Sequence, residues 1–237
     1  MDLPKVLVGA PVCNLYEYCF DEFLENIKNL TYSNYKILLV DNSKEEDFFN
    51  KIKSKVNIIR IPYFEKMRDR VTIAHDELRK YALKENFDYL LVLDQDIIPP
   101  RNIIEQLMQH KKDAISALYF GHHEVNGENK IMPFAWSFIS REGTWGKVGY
   151  ITDVAIQGND LIEIAFSGMG CVLLSKKILK KIKFRYDESI DAWDDRWLGY
   201  DIYKEGFKFY LDPRIKCKHL YLKRPFDYHE IKKQGLV

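Results

Sequence analysis

The sequence predicts an α/β fold: a mostly parallel central sheet flanked by helices, with a mixed antiparallel extension. Three observations point to it. Short apolar runs alternate with stretches whose apolar residues recur at helical spacing, the pattern of parallel strands joined by crossover helices. Two of these runs end in acids, Asp41 and Asp94, and open α/β sheets gather such strand ends along one edge. Beyond residue 120, Gly121, Gly127, Gly143, Gly146 and Gly149 mix with Trp136, Trp145 and several Phe and Tyr, which predicts loops and antiparallel hairpins.

In chain order, Val6-Leu7-Val8 is a strand leading into Gly9-Ala10-Pro11, and residues 15–30 carry apolar positions at helical spacing. Lys36 to Val40 is the second strand and ends in Asp41-Asn42-Ser43, with a third from Val56 to Ile61. A long helix follows from about Glu65 to Asn86, then Tyr89-Leu90-Leu91-Val92-Leu93, and later Ala114 to Tyr119. Right-handed crossovers would bring Pro11, Asp41 and Asp94 to one sheet edge, where such folds bind ligands. No low-complexity linker or internal repeat divides the chain, so one domain is expected over residues 1–237. Its parts would be a first half (1–120), a second half of different texture (121–220) and a basic tail (221–237).

The 237 residues are 46% apolar and 30% charged, enough for a sizeable core in an ordinary globular protein. A net charge of +1 gives no global argument for nucleic acid. No run approaches the roughly 20 apolar residues of a membrane span, and Met1-Asp2-Leu3-Pro4-Lys5 leads into a strand rather than a signal sequence. These features predict a cytoplasmic protein. Cys13, Cys19, Cys171 and Cys217 lack CxxC spacing and are expected as reduced thiols.

The sharpest local signal is Asp94-Gln95-Asp96, set directly after a buried-strand pattern. Two acids there carry an electrostatic cost that a cation would offset. If extended, Asp-x-Asp points both carboxylates the same way, a hard-oxygen site for Mg²⁺ or Mn²⁺ carrying a diphosphate. An Asp-rich turn is the plainer reading.

Taken in order, further segments resemble the family 2 glycosyltransferases of GT-A (nucleotide-diphospho-sugar transferase) fold. The stretch 30–43, Leu-Thr-Tyr-Ser-Asn-Tyr-Lys-Ile-Leu-Leu-Val-Asp-Asn-Ser, is similar to that family's N-terminal signature, and Asp94-Gln95-Asp96 falls at its DxD. Residues 70–76 occupy the place of its helix before the DxD strand, 166–174 its glycine-containing acceptor loop, and Trp193-Asp194-Asp195-Arg196-Trp197 its "ED" helix. His219 falls where many members place a last metal-ligating histidine. Departures are Asp194 where Glu is usual, Trp197 where a further acid is usual, and His75-Asp76 for Arg-Asn.

The resemblance implies transfer of a sugar from a UDP- or GDP-linked donor to a hydroxyl of a glycan, lipid-linked sugar or small molecule, with Mn²⁺ or Mg²⁺ and inversion. It implies a nucleotide-binding half over 1–120 and an acceptor-binding half over 121–220, with Asp96 and His219 at the metal, Asp94 at the ribose or the metal, Asp41 at the base, Asp195 as general base and Asp194 beside it. Pro11 joins the nucleotide site, and Arg68 and Arg70 would grip phosphate. Ser167, Gly168 and Met169 would face the donor sugar, and Trp193 and Trp197 a sugar or lipid acceptor. Plainer readings compete: a turn aspartate at Asp41, solvated helix charges at Arg68 and Arg70, helix-start acids at 194 and 195, core tryptophans, and a surface His219. Rival functions are a retaining transferase, a nucleotidyltransferase, or a nucleotide-sugar-binding domain with a degenerate site. His122-His123 is expected in an exposed polar loop. The tail, with Arg214, Lys216, Lys218, Lys223, Arg224, Lys232 and Lys233, is expected as a solvated or partly ordered terminus, with contact to diphosphate or peripheral contact to an anionic membrane surface as its alternatives.

Overall fold

The computed structural model describes residues 3–141, 146–189 and 191–226; Gly143, Trp145, Lys232 and Lys233 lie outside them. The strands are β1 (Val6–Val12), β2 (Tyr35–Asp41), β3 (Ile58–Arg60), β4 (Tyr89–Leu93), β5 (Ile97–Ile98), β6 (Ala114–Leu118), β7 (Phe120–Val125), β8 (Glu128–Pro133), β9 (Ala135–Ser140), β10 (Lys147–Tyr150), β11 (Ile162–Ile164), β12 (Phe166–Ser167), β13 (Cys171–Ser175), β14 (Phe209–Lys216) and β15 (Lys218–His219). The helices are α1 (Glu17–Lys28), α2 (Asp47–Ile52), α3 (Met67–Lys84), α4 (Ile103–Met108), α5 (Lys176–Lys181) and α6 (Asp194–Lys204).

Eight strands form the main sheet in the order β11-β14-β6-β13-β4-β1-β2-β3. The half β3-β2-β1-β4 is parallel throughout. Beyond β4 the sheet is mixed, because β13 runs antiparallel to both β4 and β6, and β11 antiparallel to β14, while β14 and β6 are parallel. The expected fold class is the observed one.

Alternation along each strand builds two cores. Val6, Val8 and Ala10 of β1 and Leu91 and Leu93 of β4 face α1, whose Phe20, Phe23, Leu24 and Ile27 close that side. Leu7 of β1 and Leu90 and Val92 of β4 face the opposite way, onto Ala74, Leu78 and Ala82 of α3. Strands buried on both faces read as continuous apolar runs, which is why Tyr89–Leu93 announces itself in the sequence.

Several boundaries differ from expectation. The third strand is only Ile58–Arg60, and the first helix starts as a 3₁₀ turn at Asn14–Tyr16 before α1. His122 and His123 lie on β7, not in a loop. Successive strand residues face opposite sides, so His122 is exposed while His123 is buried. The cysteines are free thiols, three of them buried and Cys13 half-buried. Among the described residues no helix is long and apolar enough to cross a membrane.

One glycine fixes how α6 sits. A Cβ on Gly199 would lie 2.4 Å from the carbonyl oxygen of Ala165 and 2.5 Å from Phe166 Cβ, so the bare backbone lets α6 press against β12. Gly199→Ala should therefore cost about 1–3 kcal/mol of stability, the usual range for overpacking. Gly158→Ala, where nothing lies within 4 Å, should stay within about 0.5 kcal/mol of the parent. Paired urea melts check both; equal midpoints would remove the close-approach argument.

Candidate active site

Asp94, Gln95 and Asp96 form a turn rather than an extended pair, closed by Ile97 N–H donating to the Asp94 carbonyl at 3.0 Å. Gln95 ties this turn to the end of β1, accepting Cys13 N–H at 2.9 Å and donating to the Tyr16 carbonyl at 3.0 Å. The two-residue ladder of β5 with β15 pairs His219 with Ile97, and Leu220 N–H donates to the Asp96 carbonyl at 2.8 Å. That ladder carries His219 to the acids from 123 residues away.

The Asp96 carboxylate is almost fully buried. His219 Nδ1–H donates to the Phe120 carbonyl at 2.7 Å, so in the neutral ring the lone pair sits on Nε2, 3.3 Å from Asp96 Oδ2. Two acceptors facing each other call for a cation. Arg224 supplies it: Nη2 lies 2.7 Å from Asp96 Oδ2 and 3.2 Å from His219 Nε2. Burial pushes the Asp96 carboxyl up, but the hydrogen bond and charge that His219 offers when its ring is protonated, together with the charge of Arg224, outweigh it and hold it below the usual carboxylate range.

The donors here fit a hard divalent cation in kind. An imidazole whose other N–H is tied to a backbone carbonyl is how metal-ligating histidines are oriented, and carboxylate oxygens suit Mg²⁺ or Mn²⁺. Among the described residues no three His, Cys, Asp or Glu side chains are gathered into a ready cluster. The guanidinium is the counter-ion of the arrangement as it stands.

A second buried charge centre lies beside the first. His75 on α3 meets Asp194 at the start of α6, Nδ1 to Oδ2 at 2.6 Å, with both residues almost fully buried. Burial disfavours the imidazolium, but the charge and hydrogen bond of Asp194 raise its pKa overall. Asp195 accepts only the adjacent Arg196 N–H among the hydrogen bonds found for it. Burial, then repulsion from Asp194, pushes its carboxyl up to about 7. Burial and the charge of Asp96 push Asp94 to about 6.

Both centres open on one cavity of about 1510 Å³, larger than the roughly 300–1,000 Å³ of a site for one drug-sized molecule. Pro11, Arg68, Asp94, Asp96, Asp194 and Asp195 line it, as do Gly168, Met169, Trp193 and His219. Arg68 is ion-paired with Asp191 and lies over the Trp193 ring.

Asp41, Arg70, Ser167 and Trp197 do not line it. Asp41 is sealed under its own turn, accepting the Ser43 N–H and hydroxyl. Arg70 turns inward and donates to the Phe64 and Glu65 carbonyls. Ser167 is buried and donates to the next residue's carbonyl. Trp197 lies in the core with Arg185 over its ring.

The basic tail is not simply solvated either. Arg214 pairs with Asp212, Lys218 and Lys223 with Glu22, and Arg224 with Asp96. Sequence reasoning placed Arg224 only in the basic tail and missed its pairing with Asp96, and it missed Gln95; no local pattern exists for either. His75 did leave a signal: it shares the i, i+3, i+7 face of Leu78 and Ala82, a lone imidazole on an apolar stripe.

Residues 8–183 match the model of glycosyl transferase family 2. No curated protein matches the chain in sequence. Among solved structures, GalNAc-T7 with UDP, GalNAc and Mn²⁺ superposes with a TM-score of 0.63 at 14% identity, over 92% of this chain and 43% of that one. The S. aureus TarS fragment 1–349 with UDP gives 0.55 at 13% identity, over 90% and 59%. With UDP-GlcNAc it gives 0.53 at 13% identity, over 90% and 57%. The chain thus spans less than two-thirds of these structures, and the likeness is one of fold.

The site should cost stability at neutral pH. Folded carboxyl pKa values raised above the ordinary 3.8, at Asp94 and Asp195, mean that the folded state keeps protons the unfolded chain releases. Their contribution therefore falls as pH rises from about 4 to about 7. His75, raised as well, has the same sign. Asp195→Asn should raise Tm at pH 8 by a few degrees, about 2–4 °C per kcal/mol recovered, and raise it by clearly less at pH 5, where only the first part of the window from about 4 to about 7 has been crossed. Calorimetric scans at both pH values check this.

Proposed function

The chain belongs to glycosyl transferase family 2, and from that premise we propose that it moves a sugar from a UDP- or GDP-linked donor to an acceptor hydroxyl, with a divalent cation and with inversion. The observation that carries the reading is the meeting, on one cavity, of a cation-seeking carboxylate–imidazole pair, Asp96 with His219, and a half-buried carboxyl whose pKa is raised to about 7, Asp195. The ligands named for GalNAc-T7 and TarS, UDP, UDP-GlcNAc and Mn²⁺, support a nucleotide-sugar donor here.

Asp96, His219 and Asp94 would hold the cation, and Mn²⁺ or Mg²⁺ when bound neutralises charge growing on the departing diphosphate. The chain's own residues do the rest. Pro11 and Asn42 line the cavity at the ends of β1 and β2 and bound the nucleoside, with Asp41 beneath them holding the Ser43 turn. Arg68 and Arg224 bring guanidinium charge for the diphosphate, Arg224 by exchanging its Asp96 partner for phosphate oxygens. Gly168 and Met169 bound the donor sugar, and Trp193 faces the acceptor.

Asp194 is committed to His75, which leaves Asp195 as the base. The acceptor oxygen attacks the anomeric carbon while its proton passes to the Asp195 carboxylate. The bond from the anomeric carbon to the phosphate oxygen breaks, and its electron pair leaves with the diphosphate. A base with a pKa of about 7 is matched to this proton transfer at neutral pH.

Calorimetry of UDP and GDP with and without Mn²⁺ tests the donor site. Affinity should depend on the metal and fall sharply in Asp96→Ala, and less in His219→Ala; equal affinity in EDTA would sink the metal assignment. Asp195→Asn should fold and bind donor but lose about 10²–10⁴-fold in transfer rate. In the parent, transfer should rise with pH through about 7 and then level, because only the deprotonated carboxyl accepts the proton. Near-normal turnover in the Asn protein, or retention of anomeric configuration by NMR, would refute Asp195 as base.

A further inference from the structure

A second stretch of the cavity wall has no part in the chemistry above. It starts at Tyr119, edge-on to His219 with ring centroids 5.6 Å apart, and continues through Phe134, His123, Trp136 and Tyr150. Phe134 stacks on Tyr119 at 5.5 Å, and Trp136 stacks on Phe166 at 4.5 Å. The His123 ring sits among Phe134, Tyr150 and Trp136 at 4.7, 4.9 and 5.4 Å. Hairpins β7–β8 and β9–β10 present these rings, and Tyr150 remains 37% exposed.

Within this stretch His123 is 93% buried, lines the cavity, and its Nε2 meets no hydrogen-bond partner. A buried polar atom left unpaired costs about 1–3 kcal/mol, so an unpartnered nitrogen in a cavity wall marks a place where a ligand atom belongs. Burial, then the neighbouring His122, lowers its pKa to about 4. The ring is therefore neutral at physiological pH and suited to a hydroxyl.

The charge of the wall narrows the ligand further. Among the described residues that line the cavity between 119 and 169, the carboxylate is Glu124, joined by the neutral Asn129 and the exposed imidazole of His122, and there is no lysine or arginine. The cavity's guanidinium groups, Arg68, Arg196 and Arg224, belong to other segments. Aromatic faces, a neutral imidazole, an amide and a carboxylate suit a molecule with apolar C–H faces and many hydroxyls, and repel a phosphate.

We propose that this aromatic wall is an acceptor subsite for an uncharged saccharide, one face of a sugar ring stacked on Tyr150 and one hydroxyl reaching the now-sealed His123 Nε2 as the rings packed around it shift aside. The assignment rests on the glycosyltransferase reading and narrows its acceptor to a neutral glycan.

Saturation-transfer NMR on the full chain, with UDP and Mn²⁺ present, tests it. The probes are cellobiose, lactose and N,N′-diacetylchitobiose, against glucose 6-phosphate and glycerol 3-phosphate. At least one neutral disaccharide should receive saturation on the C–H protons of one ring face. Tyr150→Ala and His123→Leu should each weaken that binding tenfold or more, while calorimetric UDP affinity stays at the parent value. His123→Leu removes a buried unpaired nitrogen and should melt no lower than the parent, so lost binding there is not lost fold. The subsite is overturned by binding of the phosphorylated probes alone, by binding indifferent to both substitutions, or by UDP binding with no neutral saccharide bound. Saccharide binding without UDP binding would instead overturn the donor reading and leave the subsite standing.

Discussion

Charge balance at the carboxyl edge of the sheet is the constraint on which the rest of this molecule depends. Asp94, Asp96, Asp194 and Asp195 converge on one cavity, and Asp96 and Asp194 are almost fully buried. Unpaired carboxylates in such surroundings would be expensive. Asp96 thus has a guanidinium, Arg224, and an imidazole, His219, as partners and Asp194 an imidazole, His75, while Asp94 and Asp195 carry raised pKa values.

The architecture serves that balance. The parallel half of the sheet ends β1 and β4 side by side, and Gln95 staples the acidic turn to the start of the chain after β1. The short β5–β15 ladder returns the C-terminal segment to the turn and delivers His219 and Arg224 together. Close contact of Gly199 with β12 seats α6 so that its first residues, Asp194 and Asp195, meet α3 at His75. Acids in the first turn of α6 also gain from the helix dipole.

The aromatic wall extends the same logic to a ligand with no charge to offer. Where the acidic part of the cavity is matched to cations and phosphates, the stretch from Tyr119 to Tyr150 offers ring faces and one unpaired imidazole nitrogen. The cavity, about 1510 Å³, is larger than a site for one drug-sized molecule, and the two kinds of wall lie within it.

By itself the sequence determined the α/β class, the strands β1, β2, β4 and β6, the long helix α3 and the identity of the acidic turn. Each is a local pattern: period-2 or continuous apolar runs, helical spacing, and acids after a buried strand. Ordered motifs also supplied Asp194, Asp195 and His219 as candidates. The tertiary structure decided which candidates face the cavity. Asp41, Arg70, Ser167 and Trp197 fit the motif pattern yet turn inward, because side-chain direction depends on packing that no spacing encodes. It also decided Arg224 and His123. The first reaches Asp96 across 128 residues, and the second is buried only because two hairpins fold their aromatic rings around it. Long-range pairing of this kind is set by how strands and hairpins close on one another, and the linear pattern holds no period that reports it.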